Sequence, residues 1–197
     1  MRRRRVIALS AVALLLLLGA LQPVRAHVVD SFRSPTRSML PTLDVGDHFL
    51  VDKRFGELRR GDVVLFRVPP HLSAGNDLRV KRAVALAGDT VELREGALLV
   101  NGAPVSSRQV AAGEWEEALD RRSYHVLRRP GGPRSTFGPA TVPPGQFFML
   151  GDNRDDNNDS RLYGPIPVEM VVGRATRIWW SRAPESGVRW GRLGQRL

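Results

Sequence analysis

The sequence contains no cysteine, only four histidines, and only two lysines among its 30 basic residues. The absence of cysteine excludes disulfide bonds, thiolate metal sites and a cysteine nucleophile. The histidines are dispersed, and none lies in a nucleophile-elbow or zinc-binding motif. A Ser-His-Asp triad stays open, because the fold and not the spacing along the chain assembles such triads.

The scarcity of lysine draws attention to Lys53 and Lys81, since this chain uses arginine almost everywhere else. Arginine cannot be deprotonated in a protein, whereas a buried lysine becomes a neutral amine that can act as a general base. Both faces of the predicted strand from Arg79 to Ala87 are largely apolar, so we expect burial to lower the pKa of Lys81. Strand alternation places Ala83 and Ala85 on the same face as Lys81, and we predict that they form a shallow substrate groove.

The N-terminus combines a cationic block with an apolar run. Residues 1–5 contain four arginines, and a helix from Val6 to Val24 would span about 28 Å, which nearly crosses a bilayer. Two interpretations are open: an uncleaved signal anchor over residues 6–24, or a signal peptide that is cleaved after Val24-Arg25-Ala26. In both cases the arginine block stays cytoplasmic and the remainder is exported.

The formal net charge of +10 is concentrated in this block and in an arginine-rich segment near the end of the sequence. Nucleic acid and anionic lipid headgroups both attract such charge. The placement of the blocks argues against a nucleic-acid partner, and we expect membrane lipid instead.

The remaining sequence has the pattern of a mostly β protein. A short helix is expected near Glu114 to Leu119, and the segment from Arg182 has no strong periodicity. The predicted strands are His48–Lys53, Asp62–Val68, Arg79–Ala87, Thr90–Arg94, Ala97–Val100, Tyr124–Leu127, Gln146–Leu150 and Met170–Trp180.

Two polar stretches carry candidate chemistry. Ser38 lies on a bend before a Met-x-Pro sequence, two residues after Thr36, which is typical either of a surface turn or of a projecting nucleophile. The run from Gly151 to Arg161 begins like a calcium loop at Asp155, but the sixth position is not glycine and the twelfth is not glutamate. A network of carboxylates and guanidinium groups that supports a site fits this run better.

Together these stretches resemble the type I signal peptidases. Four boxes appear in the family's order, after a basic segment and an apolar span like the family's anchor. The boxes are Ser38-Met39-Leu40-Pro41-Thr42-Leu43 with Gly46-Asp47, Arg60-Gly61-Asp62-Val63-Val64, Val80-Lys81-Arg82-Ala83-Val84 with Gly88-Asp89, and Gly151 to Arg161.

The resemblance implies a Ser-Lys dyad without metal or organic cofactor. Ser38 would be the nucleophile and Lys81 the general base, and the oxyanion hole would use the Ser38 N–H and the Thr36 hydroxyl. Where the family has a serine that bonds the catalytic lysine, this chain has Asn157, whose amide can accept from an ammonium or donate to an amine. The expected supporting residues are Arg82, Asp152, Asn157, Asp159 and Arg161.

The implied fold is a signal-peptidase-like β catalytic domain over residues 28–95 and 142–181. A small inserted β/irregular subdomain would occupy 96–141, an Arg-rich tail 182–197, and one transmembrane helix would precede the domain. The implied function is removal of signal peptides from exported preproteins after small residues. We expect a single-pass monomer in the bacterial cytoplasmic membrane, with its N-terminus cytoplasmic and its catalytic domain on the outer face.

Two alternatives stay open at this point. The chain could be a specialised processing peptidase for one secretion or conjugation substrate. From a different class, it could be an exported β-rich protein that binds calcium or another ligand, with a cleaved signal peptide.

Overall fold

Antiparallel strands dominate the computed structural model, which describes residues 29–73, 77–183 and 185–197. This confirms the predicted mostly β class. The strands are β1 (Val29–Arg33), β2 (Asp47–Asp52), β3 (Val63–Arg67), β4 (Leu78–Leu86), β5 (Thr90–Arg94), β6 (Ala97–Val100), β7 (Ala103–Pro104), β8 (Ser106–Ala111), β9 (Glu114–Leu119), β10 (Arg122–Leu127), β11 (Phe137–Thr141), β12 (Gln146–Leu150), β13 (Ile166–Pro167), β14 (Val171–Ala183) and β15 (Gly187–Val188). The described helices are α1 (Ser160–Tyr163) and three 3-10 turns, at Pro70–Leu72, Val168–Met170 and Trp190–Arg192.

The predicted membrane helix over residues 6–24 lies outside the described residues. Within the described ranges, no helix is both long and apolar enough to cross a membrane.

The largest described sheet, called the main sheet, has eight strands and contains β4, the strand of Lys81. Its order is β1-β2-β14-β3-β4-β12-β13, and β15 pairs with the end of β14. Two smaller sheets have the orders β11-β5-β6-β7 and β10-β9-β8. Strand β4, which carries Lys81, therefore lies inside the main sheet between β3 and β12.

The segment 96–141 shares a hydrophobic core with the main sheet. Val84 and Phe148 of the main sheet lie in one buried cluster with Leu98, Leu119 and Val126. Burial of apolar surface between the sheets is favourable, at about 25 cal/mol per Å². Packing of the smaller sheets thus stabilises the face of the main sheet behind β4 and β12.

The predicted helix near Glu114 to Leu119 is wrong, because these residues form strand β9. Glutamate, alanine and leucine favour a helix locally. In the fold, however, β9 pairs on one side with β10 and on the other with β8. Two ladders of backbone hydrogen bonds, together with burial of Glu117 and Leu119, override the local preference.

Candidate active site

Ser38 lies in the turns that join β1 to β2. The Leu40 N–H donates to the Arg37 carbonyl at 3.1 Å, and the Leu43 N–H donates to the Met39 carbonyl at 2.8 Å. The Met39 and Leu43 side chains are buried in a core cluster. Apolar packing of Met39 and Leu43 therefore fixes the turn, while Ser38, just before Met39, stays partly exposed.

Lys81 approaches Ser38 from β4. Its side chain is almost fully buried, and its Nζ donates to Ser38 Oγ at 2.8 Å and to the Val80 carbonyl at 3.0 Å. Burial, the largest influence, lowers the pKa of Lys81 to about 8, against the opposing effect of the Asp159 carboxylate. The nearby Arg79 charge lowers this pKa further. An appreciable fraction of the lysine is thus a neutral amine near pH 8, in contact with a hydroxyl.

Thr36 lies on the other side of the Ser38 hydroxyl. Its Oγ1 is 3.1 Å from Ser38 Oγ, and the Ser38 N–H points to the same Oγ1 at 3.5 Å. A hydroxyl and a backbone N–H therefore lie next to one another beside Ser38. These are two donors of the type that stabilises an oxyanion.

A buried network connects the strand of Lys81 with the turn of Ser38. Arg82 donates to both carboxylate oxygens of Asp152, at 2.8 and 2.7 Å, and to the Gly61 carbonyl at 2.8 Å. Thr42, in the turn, donates its hydroxyl to the same Asp152 at 2.5 Å. The Arg82 guanidinium also stacks on the Tyr124 ring, 3.9 Å from its centroid. Asp152 therefore bridges the two elements that carry Ser38 and Lys81.

Asp159 and Arg161 form a second network. Arg161 donates to the two Asp159 oxygens at 2.9 and 2.8 Å, and to the Arg154 carbonyl at 2.7 Å. The Gly151 N–H donates to Asp159 at 3.1 Å. These bonds fold the run from 151 to 161 into one rigid unit beside the dyad.

Asn157 contacts the serine side of the site and not the lysine side. Its Nδ2 donates to the backbone carbonyl of Ser38 at 2.7 Å, whereas no described hydrogen bond joins it to Lys81. A Cβ on Gly151 would lie only 1.1 Å from this Nδ2, so glycine is required there to admit the amide. The Asn153 N–H donates to the same Ser38 carbonyl at 3.1 Å. The amide thus helps to fix the backbone of Ser38.

The predicted groove of Ala83 and Ala85 is wrong, because both side chains have zero exposure and lie in two different core clusters. The register between β4 and β12 shifts between Phe148 opposite Ala85 and Met149 opposite Ala83. This bulge leaves Val84 unpaired in that ladder, which breaks the simple alternation of faces.

The edge of β4 that faces β12 is left unpaired by the described strands at its N-terminal end, over residues 78–81. Strand β12 pairs with β4 only from Leu86 to Arg82, and among the described strands none pairs with that edge over residues 78–81. A cleft of about 610 Å³ lies here and includes Ser38 and Lys81. Its apolar lining includes Phe32, Leu65 and Val80. These residues border the cleft that a bound peptide would occupy, whereas the two alanines do not line it.

A buried ion pair between Arg154 and Glu117 was not predicted from the sequence. Arg154 donates to both Glu117 oxygens, at 2.9 and 2.6 Å, and both side chains are at most 2% exposed. The pair attaches the polar run at 151–161 to strand β9. Its signal was hidden because Glu117 lay in the segment predicted to be helical.

The side chains of the calcium-like sequence have other partners. Asp155 accepts from the Arg129 N–H and Nε, both at 3.0 Å, and Asp159 pairs with Arg161. Within the described part of the chain, no group of three or more histidine, aspartate or glutamate residues is arranged to hold a metal ion. The carboxylates of Asp155 and Asp159 thus take part in ion pairs with Arg129 and Arg161.

The family model described as "Signal peptidase, peptidase S26" matches residues 4–180. The chain belongs to this family. A signal peptidase I from Leptolyngbya laminosa is 32% identical over 164 residues, which cover 80% of this chain and 71% of the relative. A signal peptidase I from Pseudomonas aeruginosa is 35% identical over 195 residues, with 80% and 67% covered.

Among solved structures, a signal peptidase I from Enterococcus faecalis is 28% identical, with a TM-score of 0.41. The comparison covers 61% of this chain and 97% of that one. The family match confirms the predicted resemblance, and the protein is a serine endopeptidase of the signal peptidase family.

Proposed function

We propose that this signal peptidase family member removes signal peptides from exported preproteins, with Ser38 as nucleophile and Lys81 as general base. The observation that carries the proposal is the 2.8 Å contact between Lys81 Nζ and Ser38 Oγ in the peptide-sized cleft. Burial of the lysine supports the same assignment, because a neutral amine can accept the hydroxyl proton.

The proposed reaction has two halves. Ser38 Oγ attacks the scissile carbonyl while its proton passes to the Lys81 amine. The Ser38 N–H and the Thr36 hydroxyl stabilise the oxyanion, and Lys81 then gives its proton to the departing amine of the mature protein. In the second half, Lys81 takes a proton from a water molecule that attacks the acyl-enzyme, and Ser38 regains its proton as it leaves.

The free edge of β4 offers a place for the substrate. A peptide in extended conformation can add to residues 78–81 as a further strand, which brings its carbonyl groups alongside Ser38. We propose cleavage after small residues on the basis of the family resemblance. The cleft residues Phe32, Leu65 and Val80 are candidates to set that preference.

We propose that residues 6–24 anchor the protein as a monomer in the bacterial cytoplasmic membrane. The basic block before this span supports a cytoplasmic N-terminus, with the catalytic residues on the outer face. Preprotein and membrane lipid would be its partners, and nucleic acid would not.

The test is incubation of the full-length protein in detergent with a model preprotein. We expect one cut after a small residue, mapped by mass spectrometry, and loss of cleavage in Ser38→Ala. Circular dichroism of the variant checks that it is folded. Cleavage by Ser38→Ala would show that Ser38 is not the nucleophile. A cut after a bulky residue would contradict the proposed preference for small residues before the cleavage site.

A further inference from the structure

The segment of residues 185–197, named here the strap segment, lies beyond the part of the chain that matches the family model. It runs back along β14. The Ile178 N–H donates to the Gln195 carbonyl at 2.9 Å, and the Leu197 N–H donates to the Thr176 carbonyl at 3.0 Å. The strap segment is therefore part of the folded domain.

Two arginines of the strap segment reach a fully buried carboxylate, Asp47, at the start of β2. Arg192 places Nη2 2.6 Å and Nε 3.0 Å from one Asp47 oxygen. Arg189 donates to the other oxygen at 2.9 Å, and also pairs with Asp44. Ser181 donates to Asp47 at 2.6 Å. This set of charge-assisted hydrogen bonds fixes the guanidinium groups against the loop that precedes β2.

Arg192 also reaches the turn that follows Ser38. Its Nη2 donates to the Thr42 carbonyl at 3.0 Å, and both Nη atoms lie within 3.5 Å of the Pro41 carbonyl. The Thr42 hydroxyl is held on its other side by Asp152. Leu197 of the strap segment packs against the core cluster that buries Met39. The turn is thus held from the strap segment by polar and apolar contacts.

We infer that Arg192 is a positioning residue, which holds the Pro41–Thr42 backbone so that Ser38 stays aligned with Lys81. The inference rests on the proposed function of Ser38. A guanidinium group has five donors in a planar fork, so one arginine can bind a carboxylate and two carbonyls at once. A lysine has three donors at a single point and can keep the ion pair with Asp47 without reproducing the fork.

This difference makes Arg192→Lys the decisive variant. Wild type and variant are compared in the full-length protein with a fluorogenic peptide that spans a signal-peptide cleavage site. We expect kcat to fall about tenfold or more, because small misplacements of a reacting group are costly, while KM stays within about twofold. Melting is measured in parallel, and the assay is run well below the melting temperature, so that the folded fraction stays close to one.

The matched control is Arg196→Lys, in the same segment, where the side chain is exposed. We expect wild-type kcat and KM for this variant. Wild-type kcat in Arg192→Lys would overturn the inference, as would a loss that merely follows a loss of folded protein. Ser38→Ala is assayed alongside. Activity in Ser38→Ala overturns the proposed function together with the inference, whereas an inactive Ser38→Ala beside a fully active Arg192→Lys overturns the inference alone.

Discussion

Lys81 and Ser38 meet at 2.8 Å, but the parts of the molecule that present them are built in different ways. Lys81 belongs to β4, whose backbone is paired with β3 from Leu78 to Arg82 and with β12 from Arg82 to Leu86. Ser38 belongs to a turn, which is held by side chains from distant parts of the chain. These include Asn157, Asp152 and, from the strap segment, Arg192.

The difference has a consequence for sensitivity to substitution. A strand ladder positions its residues through many backbone bonds, so the loss of one side chain nearby moves Lys81 little. The turn has few backbone bonds of its own, and each side-chain contact carries a larger share of its placement. We therefore expect remote substitutions to affect the alignment of Ser38 more than the environment of Lys81.

The largest effect is expected on the strand side, where Lys81→Met removes the amine but fills the buried site with an unbranched apolar chain. Without a base, kcat should fall about a thousandfold or more in preprotein cleavage. Lys53→Met is the control, because the Lys53 side chain is 34% exposed and pairs with Asp30 at the surface. Near-normal turnover in Lys81→Met would show that β4 does not supply the base.

On the turn side, Thr36→Val removes a hydroxyl at nearly constant volume. The loss of one oxyanion donor should lower kcat about a hundredfold. Thr36→Ser keeps the hydroxyl and should recover most of the activity. Equal activity in the valine and serine variants would mean that Thr36 supports the turn by packing alone.

The sequence predicted the mostly β class and the burial of Lys81 in a strand, because both depend on local signals. Alternating apolar runs mark the strands, and a lysine is conspicuous in a chain rich in arginine. The complete burial of Ala83 and Ala85 was not predictable from local signals. It depends on a bulge opposite Met149 and on burial of β4 from both sides, which are properties of the whole sheet.

The supports of the turn were hidden for a related reason. Arg192 and Asp47 are 145 residues apart, and neither lies in a periodic pattern that points to the other. Glu117 was assigned to a helix because its neighbours favour one, so its pairing with Arg154 was not foreseen. Long-range pairing decides these contacts, and local propensity does not report it.

A pH profile tests the strand side directly. Lys81 must be neutral to act as a base, and its pKa is about 8, so protonation should inactivate it below that pH. We expect kcat/KM to rise about tenfold per pH unit below about pH 8 and to level off above it. Since the Arg79 charge lowers this pKa, Arg79→Gln should move the midpoint to higher pH. An unchanged midpoint in Arg79→Gln would mean that the rise of kcat/KM with pH reports the titration of a group other than Lys81.

The smallest effect is expected for Asn157→Ala. This variant distinguishes support of the Ser38 turn from the environment of Lys81 on β4. Loss of one hydrogen bond to the Ser38 carbonyl removes about 1 kcal/mol, so kcat should fall about fivefold. Because this amide binds the Ser38 backbone and not Lys81, the midpoint of the pH profile should stay where it is in the wild type. Gln109→Ala, which removes an exposed amide on β8 outside the cleft, serves as the control, with kcat within about twofold of wild type. A shift of the midpoint in Asn157→Ala would place Asn157 in the environment of the lysine, and the separate support of turn and strand would no longer hold.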